Sequence, residues 1–130
     1  MAAPWADRGI ELLVQVEPAS LTVDADPEML EQVLLNLLKN AEQALEGTTR
    51  PSVSLKAGLN RNGHVSLEVA DNGPGIDGEV AAKIFVPFFT TKREGSGVGL
   101  ALTRQIMLAH GGTVVLGESP SGGARFTLTF

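Results

Sequence analysis

The feature that most constrains the fold is a long amphipathic helix predicted between Asp26 and Gly47. Its apolar residues recur at spacings of three and four, which places them on one face of a helix. These residues are Leu30, Val33, Leu34, Leu37, Leu38, Ala41 and Leu45. Asp26 can cap the first turn, Pro27 suits the first helical position, and Glu28 favours the positive end of the helix dipole. A helix with one apolar face needs a second layer to cover that face.

Segments with β-strand character surround this helix and supply that layer. The predicted strands cover residues 10–16, 21–23, 53–59, 65–69, 113–116 and 124–130. Asn62-Gly63 predicts a hairpin turn, because both residues tolerate positive φ. A second helix is predicted over residues 100–110, with a stop at Gly111-Gly112. Hairpins mixed with helices predict an α+β two-layer sandwich, in which helices cover one face of a mixed, mostly antiparallel sheet.

Composition narrows the class of protein further. The 130 residues suit a single domain over positions 1–130. The net charge of −5, without a long basic run, argues against nucleic-acid binding. The absence of cysteine excludes disulfides and thiolate metal sites. The apolar runs are shorter than the ~20 residues that span a bilayer, and the first seven residues do not resemble a signal peptide. We therefore expect a cytoplasmic domain without membrane contact.

One side of the long helix carries carboxamides instead of apolar residues. Gln32, Asn36, Asn40 and Gln43 follow i, i+4, i+8, i+11 spacing and form a stripe. Asparagine is a mediocre helix former, so two of them in mid-helix suggest a use beyond helix formation. A carboxamide oxygen is a suitable ligand for Mg²⁺, which prefers oxygen. The alternative is a solvated polar face with no ligand.

Two glycine-rich segments are the other candidate binding elements. The first, Asp71-Asn72-Gly73-Pro74-Gly75-Ile76, directly follows a predicted strand. Its aspartate can accept a hydrogen bond from an exocyclic amine, and its glycines allow close approach to a flat ring. The second, Gly95-Ser96-Gly97-Val98-Gly99-Leu100, opens a helix whose first N–H groups can bind an anion. Alone, the first is also compatible with a simple turn and the second with a linker or helix cap.

Read together, four ordered motifs resemble the N, G1, F and G2 boxes of the sensor histidine kinase ATP-binding domain. They are NLLKNAEQAL from Asn36, DNGPGI from Asp71, FVPFFTTK from Phe85 and GSGVGL from Gly95. The F and G2 boxes look most like the nitrogen-regulation-type branch. The resemblance implies a Bergerat-type fold that binds ATP and Mg²⁺. Gyrase, heat-shock chaperone and mismatch-repair ATPases belong to the same superfamily.

The resemblance also implies individual roles. Asn40 would coordinate Mg²⁺, Asp71 would bond the adenine amino group, and the lid would span about residues 77–96, anchored by Phe88 or Phe89. The implied nucleotide-binding residues are Asn36, Asn40, Gln43, Asp71, Gly73, Gly75, Ile76, Phe88, Lys92, Gly95, Gly97, Val98, Gly99 and Leu100. Gly122-Gly123 resembles the last glycine motif of the family.

Three positions refine the expectation. Many relatives have an aromatic-arginine pair where this chain has Phe89-Thr90, so Lys92 or Arg93 is the substitute phosphate contact. Gln43 stands where relatives often have lysine. Hydrolysing relatives place a glutamate base at the position of Asn36, and an amide cannot take that proton near neutral pH. This favours phosphoryl transfer over hydrolysis.

The predicted function is transfer of the γ-phosphoryl group of ATP to a histidine on a separate dimerisation domain, with a response regulator downstream. His64, in a predicted hairpin, and His110, at a predicted helix end, have no adjacent acid and do not resemble the acceptor. We expect His110 to complement the helix dipole. Three alternatives stay open: a serine-phosphorylating anti-sigma-type kinase, a nucleotide-binding module without transfer activity, and a hydrolysing ATPase.

Overall fold

The computed structural model describes residues 9–86, 99–120 and 122–130. In chain order the elements are β1 (Glu11–Val16), α1 (Pro27–Ala44), β2 (Ser52–Leu59), β3 (Val65–Asp71), α2 (Gly78–Ala81), α3 (Gly99–Ala109), β4 (Thr113–Glu118) and β5 (Ala124–Thr129). The two long helices and five of the six predicted strands are confirmed. Among these residues, no helix has the length and apolar character needed to cross a membrane.

Two parts of the predicted element order are wrong. Residues 21–23 form no strand. The partner edge of β2 is already occupied by β1, and the chain turns after Pro18, whose carbonyl accepts a hydrogen bond from Leu21 N–H at 2.9 Å. The short helix α2 was not predicted, because four residues are too few to show a periodicity. It is capped by Asp77, whose carboxylate accepts a hydrogen bond from Glu79 N–H.

The sheet is mixed and mostly antiparallel, as predicted. Its strand order is β1-β2-β3-β5-β4, in which β1 runs parallel to β2 and every other neighbouring pair is antiparallel. In the register of the central strands, Val53 pairs with Asp71 and Val69 pairs with Phe126. The helix-facing side chains of β3 and β5 therefore continue one apolar surface up to the carboxyl end of β3, where Asp71 lies.

Both long helices pack on that surface and on each other. The most deeply buried side chains come from α1, from α3 and from the sheet. They are Val33, Leu37, Val53, Val69, Thr103, Met107 and Leu128. All but Thr103 belong to one apolar cluster. Burial of each large apolar side chain contributes about 1.5–3 kcal/mol to the stability of the folded state. The predicted caps of α1 are present, because Asp26 Oδ1 accepts hydrogen bonds from Glu28 N–H and Met29 N–H.

The β2–β3 hairpin differs in detail from its prediction. Gly63 has φ +79°, but Asn62 does not adopt positive φ. The connection is a five-residue loop instead of a two-residue turn, and Asn60 organises it. The side-chain oxygen of Asn60 accepts hydrogen bonds from the N–H groups of Asn62 and His64. This local competition by an asparagine side chain replaces the tight turn.

His110 joins the end of α3 to the start of α1. Its Nε2 lies 3.1 Å from Asp26 N, and its Nδ1 lies 2.8 Å from the Ile106 carbonyl oxygen. The backbone N–H of Asp26 must donate and the carbonyl of Ile106 must accept. The bridge therefore requires Nε2 to accept and Nδ1 to donate. His110 lies at the C-terminal end of α3, as predicted, where it bonds a carbonyl of the last turn; its second contact, with Asp26, was not predicted. The ring is a bridge between two helix ends.

We expect His110→Ala to lower the free energy of unfolding by about 1 kcal/mol, the net worth of hydrogen bonds at a partly exposed site. Urea denaturation followed by circular dichroism measures the change. Arg104→Ala, at an exposed position of the same helix, is the matched control and should leave the midpoint nearly unchanged. Equal midpoints for the two variants would show that the bridge does not contribute to stability.

Candidate functional site

One side of α1 lies against Gly73 of the first glycine segment and Gly99 of the second. Asn36, Asn40 and Ala44 are spaced by four residues and therefore share this side. A methyl group added at Gly99 would lie 3.7 Å from Asn36 Cγ, and one added at Gly73 would lie 2.9 Å from the Ala44 carbonyl oxygen. The two contacts are separated by eight residues, or about 12 Å of helix. The structure thus places Gly73 and Gly99, one from each predicted binding segment, near opposite ends of this side of α1, with Asn40 between them.

Asp71 is a buried carboxylate at the carboxyl end of β3, with 4% of its surface exposed. Its Oδ1 accepts hydrogen bonds from Gly73 N–H at 2.9 Å and from Ala124 N–H at 3.3 Å. The first donor belongs to the glycine turn and the second to β5. A carboxylate held by two backbone donors has a defined direction, which is what recognition of one hydrogen-bonding edge requires.

The approach of β5 to Asp71 depends on Gly123. A Cβ added at this glycine would overlap both the backbone carbonyl oxygen and the Oδ1 of Asp71. The sequence singled out Gly122-Gly123 as a motif but did not predict this contact. Two adjacent glycines before a strand were the available signal, since close backbone approach is one of the few uses that require glycine.

The turn after Asp71 is fixed at both ends. Asn72 Oδ1 accepts a hydrogen bond from Ser52 N–H at 2.8 Å, and Asn72 Nδ2 donates to the Arg50 carbonyl at 2.9 Å. Gly75 has φ +81°, and a Cβ there would lie 2.9 Å from the Gly122 carbonyl oxygen. The turn therefore packs against the loop between β4 and β5 at Gly122. Ile76 follows it, half-buried against the apolar core, where it can form an apolar wall.

At the other end of the stripe, Asn36 contacts the first turn of α3. Asn36 Nδ2 donates to the Gly99 carbonyl at 3.2 Å, and Asn36 Oδ1 accepts from Gln32 Nε2 at 3.0 Å. The hydroxyl of Thr103 donates to the same Gly99 carbonyl at 2.9 Å. Sequence reasoning missed Thr103. A threonine four residues after the last glycine of the motif was the signal, because its hydroxyl can reach the carbonyl at i−4.

Asn40 and Gln43 lie between these two ends. Asn40 is 9% exposed and Gln43 is half-buried. A single neutral carboxamide oxygen suits Mg²⁺ in the form in which that ion usually binds nucleotides, with one or two protein ligands and the rest of its shell from phosphate and water. The residues present therefore fit a magnesium ion that arrives with a nucleotide. Asn40 would hold it.

The segment after Ile76 is described as far as Val86. There the ring of Phe85 packs edge-on against Phe126, with centroids 6.2 Å apart and an interplanar angle of 83°. This contact packs Phe85, near the middle of the predicted lid span of residues 77–96, against the core. Several residues with predicted roles lie outside the described residues, namely Phe88, Phe89, Lys92, Arg93, Gly95, Gly97 and Val98. Gly99 and Leu100 are described, and Leu100 packs partly buried against the apolar cluster.

Comparison with known proteins identifies a family over most of the chain. Residues 25–130 match the model of the "Histidine kinase-, DNA gyrase B-, and HSP90-like ATPase" family. A similar curated protein is the sensor histidine kinase ZraS of Klebsiella oxytoca, which is 42% identical over 94% of this chain and 26% of its own length. The chain spans about a fifth to a quarter of the length of the curated relatives it matches.

Solved structures show the same architecture. The catalytic domain of the histidine kinase ThkA, in a nucleotide-free form, has a TM-score of 0.84 and 29% identity, covering 98% of this chain and 82% of that one. The full-length kinase ShkA in complex with AMPPNP has a TM-score of 0.80 and 35% identity, covering 95% of this chain and 26% of that one. These similarities confirm the predicted α/β sandwich.

Proposed function

Because the chain belongs to the family of histidine kinase-, DNA gyrase B- and HSP90-like ATPases, we propose that it binds Mg²⁺·ATP as the catalytic domain of a sensor histidine kinase. The observation that carries the proposal is that the side of α1 bearing Asn40 lies against Gly73 at Ala44 and against Gly99 at Asn36. Adenine binds at the Asp71 end and the phosphates bind at the Gly99 end. Asn40 lies between them and would hold the magnesium ion.

The Asp71 end and the Gly99 end of the proposed site bind different parts of ATP. The Asp71 carboxylate accepts a hydrogen bond from the exocyclic amine of adenine, a group that guanine lacks at that edge. The first amides of α3 bind phosphate oxygens, because helix N-terminal N–H groups have no partner within the helix. Bound magnesium neutralises charge that builds on the phosphates during transfer. A nitrogen of the acceptor histidine bonds to the γ-phosphorus, the bond to the β–γ bridging oxygen breaks, and ADP leaves.

Asn36 directs the domain towards transfer. Its amide nitrogen donates to the Gly99 carbonyl and its oxygen accepts from Gln32. An amide engaged in this way has no basic site with which to activate water. ATP therefore stays intact until an acceptor reaches the site, which favours a kinase over a hydrolysing ATPase.

The acceptor and the later partners belong to the whole kinase. We propose that the acceptor histidine lies on a separate dimerisation domain, that a response regulator receives the phosphoryl group, and that this domain works in the cytoplasm. Neither histidine described here is suited to be the acceptor. His110 bridges two helix ends, and His64 lies in the loop between β2 and β3 without an adjacent acid.

The proposal is tested by mixing the domain with γ-labelled Mg²⁺·ATP and a dimerisation segment that carries the acceptor histidine. We expect label on that segment that is lost in acid and retained in alkali, as phosphohistidine is. The same segment with alanine in place of the histidine is the control and should remain unlabelled. Three other outcomes would contradict the proposal. Acid-stable label on a serine substrate would indicate a serine kinase, and rapid multiple-turnover release of phosphate would indicate a hydrolysing ATPase. ATP binding without transfer would indicate a nucleotide-binding module.

A further inference from the structure

The Gly99 carbonyl oxygen is held by side chains from two helices. Asn36 on α1 donates to it at 3.2 Å, and Thr103 on α3 donates to it at 2.9 Å. Thr103 is fully buried, with 0% of its surface exposed, so water has no access to replace its hydroxyl. Gln32 holds the Asn36 oxygen at 3.0 Å, which orients the amide nitrogen towards Gly99. Thr103 alone would be an ordinary helix back-bond, but a second donor from another helix on the same atom requires a further explanation.

The consequence follows from the geometry of the peptide group. The carbonyl of Gly99 and the N–H of Leu100 belong to one planar trans unit, so they point in opposite directions. Fixing the Gly99 oxygen therefore fixes the direction of the Leu100 N–H. That N–H lies in the first turn of α3, where it has no partner within the helix. Two side chains that hold the oxygen thus aim an amide donor away from the helix.

We propose that Asn36 and Thr103 are positioning residues that aim the Leu100 amide at the phosphates of the nucleotide. The inference rests on the proposed function, because it takes ATP as the ligand. Neither side chain has to touch ATP for this role. The Gly99 end of the stripe is separated from the Gly73 end by about 12 Å of helix. Loss of the two donors should therefore weaken binding of the phosphates and leave binding of the adenine and ribose unchanged.

The matched pair of variants is Thr103→Val and Thr103→Ser. Valine keeps the branched shape but removes the hydroxyl, and serine keeps the hydroxyl. We expect Thr103→Val to raise the Kd for Mg²⁺·ATP about tenfold, the effect of one net hydrogen bond. Its affinity for adenosine should equal that of the wild type, and Thr103→Ser should bind both ligands like the wild type. NMR titration measures the two ligands on the same folded protein.

Asn36→Ala removes the second donor from a half-buried position and is measured alongside, with the same selective loss expected. Wild-type ATP affinity in either donor-deleted variant overturns the proposal. Equal losses of ATP and adenosine affinity also overturn it, because they indicate a general loss of structure. A serine variant that behaves like the valine variant has the same consequence. Failure of the wild-type protein to bind ATP would instead contradict the proposed function, so the two failures are distinguishable.

Discussion

Replacing Asn40 with alanine should abolish magnesium-dependent ATP binding by this domain and leave its fold intact. Asn40 is the carboxamide on α1 that lies between the contacts of the two glycine segments, and it is 9% exposed. Alanine preserves the helix, because it has the highest helix propensity. We expect the Kd for ATP in the presence of Mg²⁺ to rise roughly a hundredfold or more, since even partners that support a metal ligand are worth about 10–100-fold.

Calorimetry with and without a chelator separates the metal from the nucleotide. Without Mg²⁺, the wild type and Asn40→Ala should bind ATP with similar weak affinity, because the adenine end of the site is unchanged. Lys39→Ala, at the neighbouring exposed position of α1, is the control and should keep the magnesium effect. A variant of Asn40 in which Mg²⁺ still strengthens ATP binding to the wild-type extent would exclude Asn40 as the metal ligand.

Gly123→Ala should remove the preference of the domain for adenine nucleotides. The new Cβ would overlap the carbonyl oxygen and Oδ1 of Asp71, so either β5 or the carboxylate must move. Such overpacking costs about 1–3 kcal/mol of stability. Displacement of the carboxylate also costs the hydrogen bond to adenine, about 1.5–3 kcal/mol for a charged acceptor, which is at least tenfold in ATP affinity.

The ratio of ATP to GTP affinity is the decisive measurement, because a partly unfolded sample lowers both affinities by the same factor. We expect the ratio to fall in Gly123→Ala as it does in Asp71→Asn, which changes the carboxylate itself. Gly78→Ala is the matched control, since no atom outside its immediate neighbours lies within 4 Å of the added Cβ. A Gly123 variant with weakened ATP binding but an unchanged ratio would show that the glycine supports only the fold.

Much of the fold could be predicted because the relevant signals are local. The helix α1 repeats its apolar residues over five turns and carries its own cap in Asp26. The strands β2 and β3 alternate clearly and are joined by a short loop. The failures have local reasons as well. Residues 21–23 have strand-forming side chains but follow a tight turn at Pro18 and pair with none of the described strands. Asn62 lost its predicted turn conformation because Asn60 bonds the loop instead.

In the candidate site, the polar residues could be predicted from the sequence, but the residues that support them could not. Asp71, Asn40 and Asn36 carry chemistry that is visible in a one-dimensional pattern, because polar residues interrupt apolar periodicity. Gly123 acts through close approach to Asp71, 52 positions away, and has no side chain that could suggest a role. Thr103 acts through a hydrogen bond to the carbonyl of Gly99, four positions away, and its side chain suggests no ligand. A glycine that makes room for Asp71 has the same letter as a glycine that makes a turn. The role of Gly123 therefore depends on which backbone segment packs against it in the folded protein.

The sequence by itself therefore determined the two layers, the stripe on α1 and the two glycine segments, since each depends on residues close together in the chain. Only the tertiary structure decided how these parts meet. Pairing of β3 with β5 brings the Ala124 amide to Asp71, and packing of α3 on α1 brings the Gly99 carbonyl to Asn36. The reason is physical: a hydrogen bond needs its two atoms within about 3 Å, and chain spacing sets that distance within an element but not between elements.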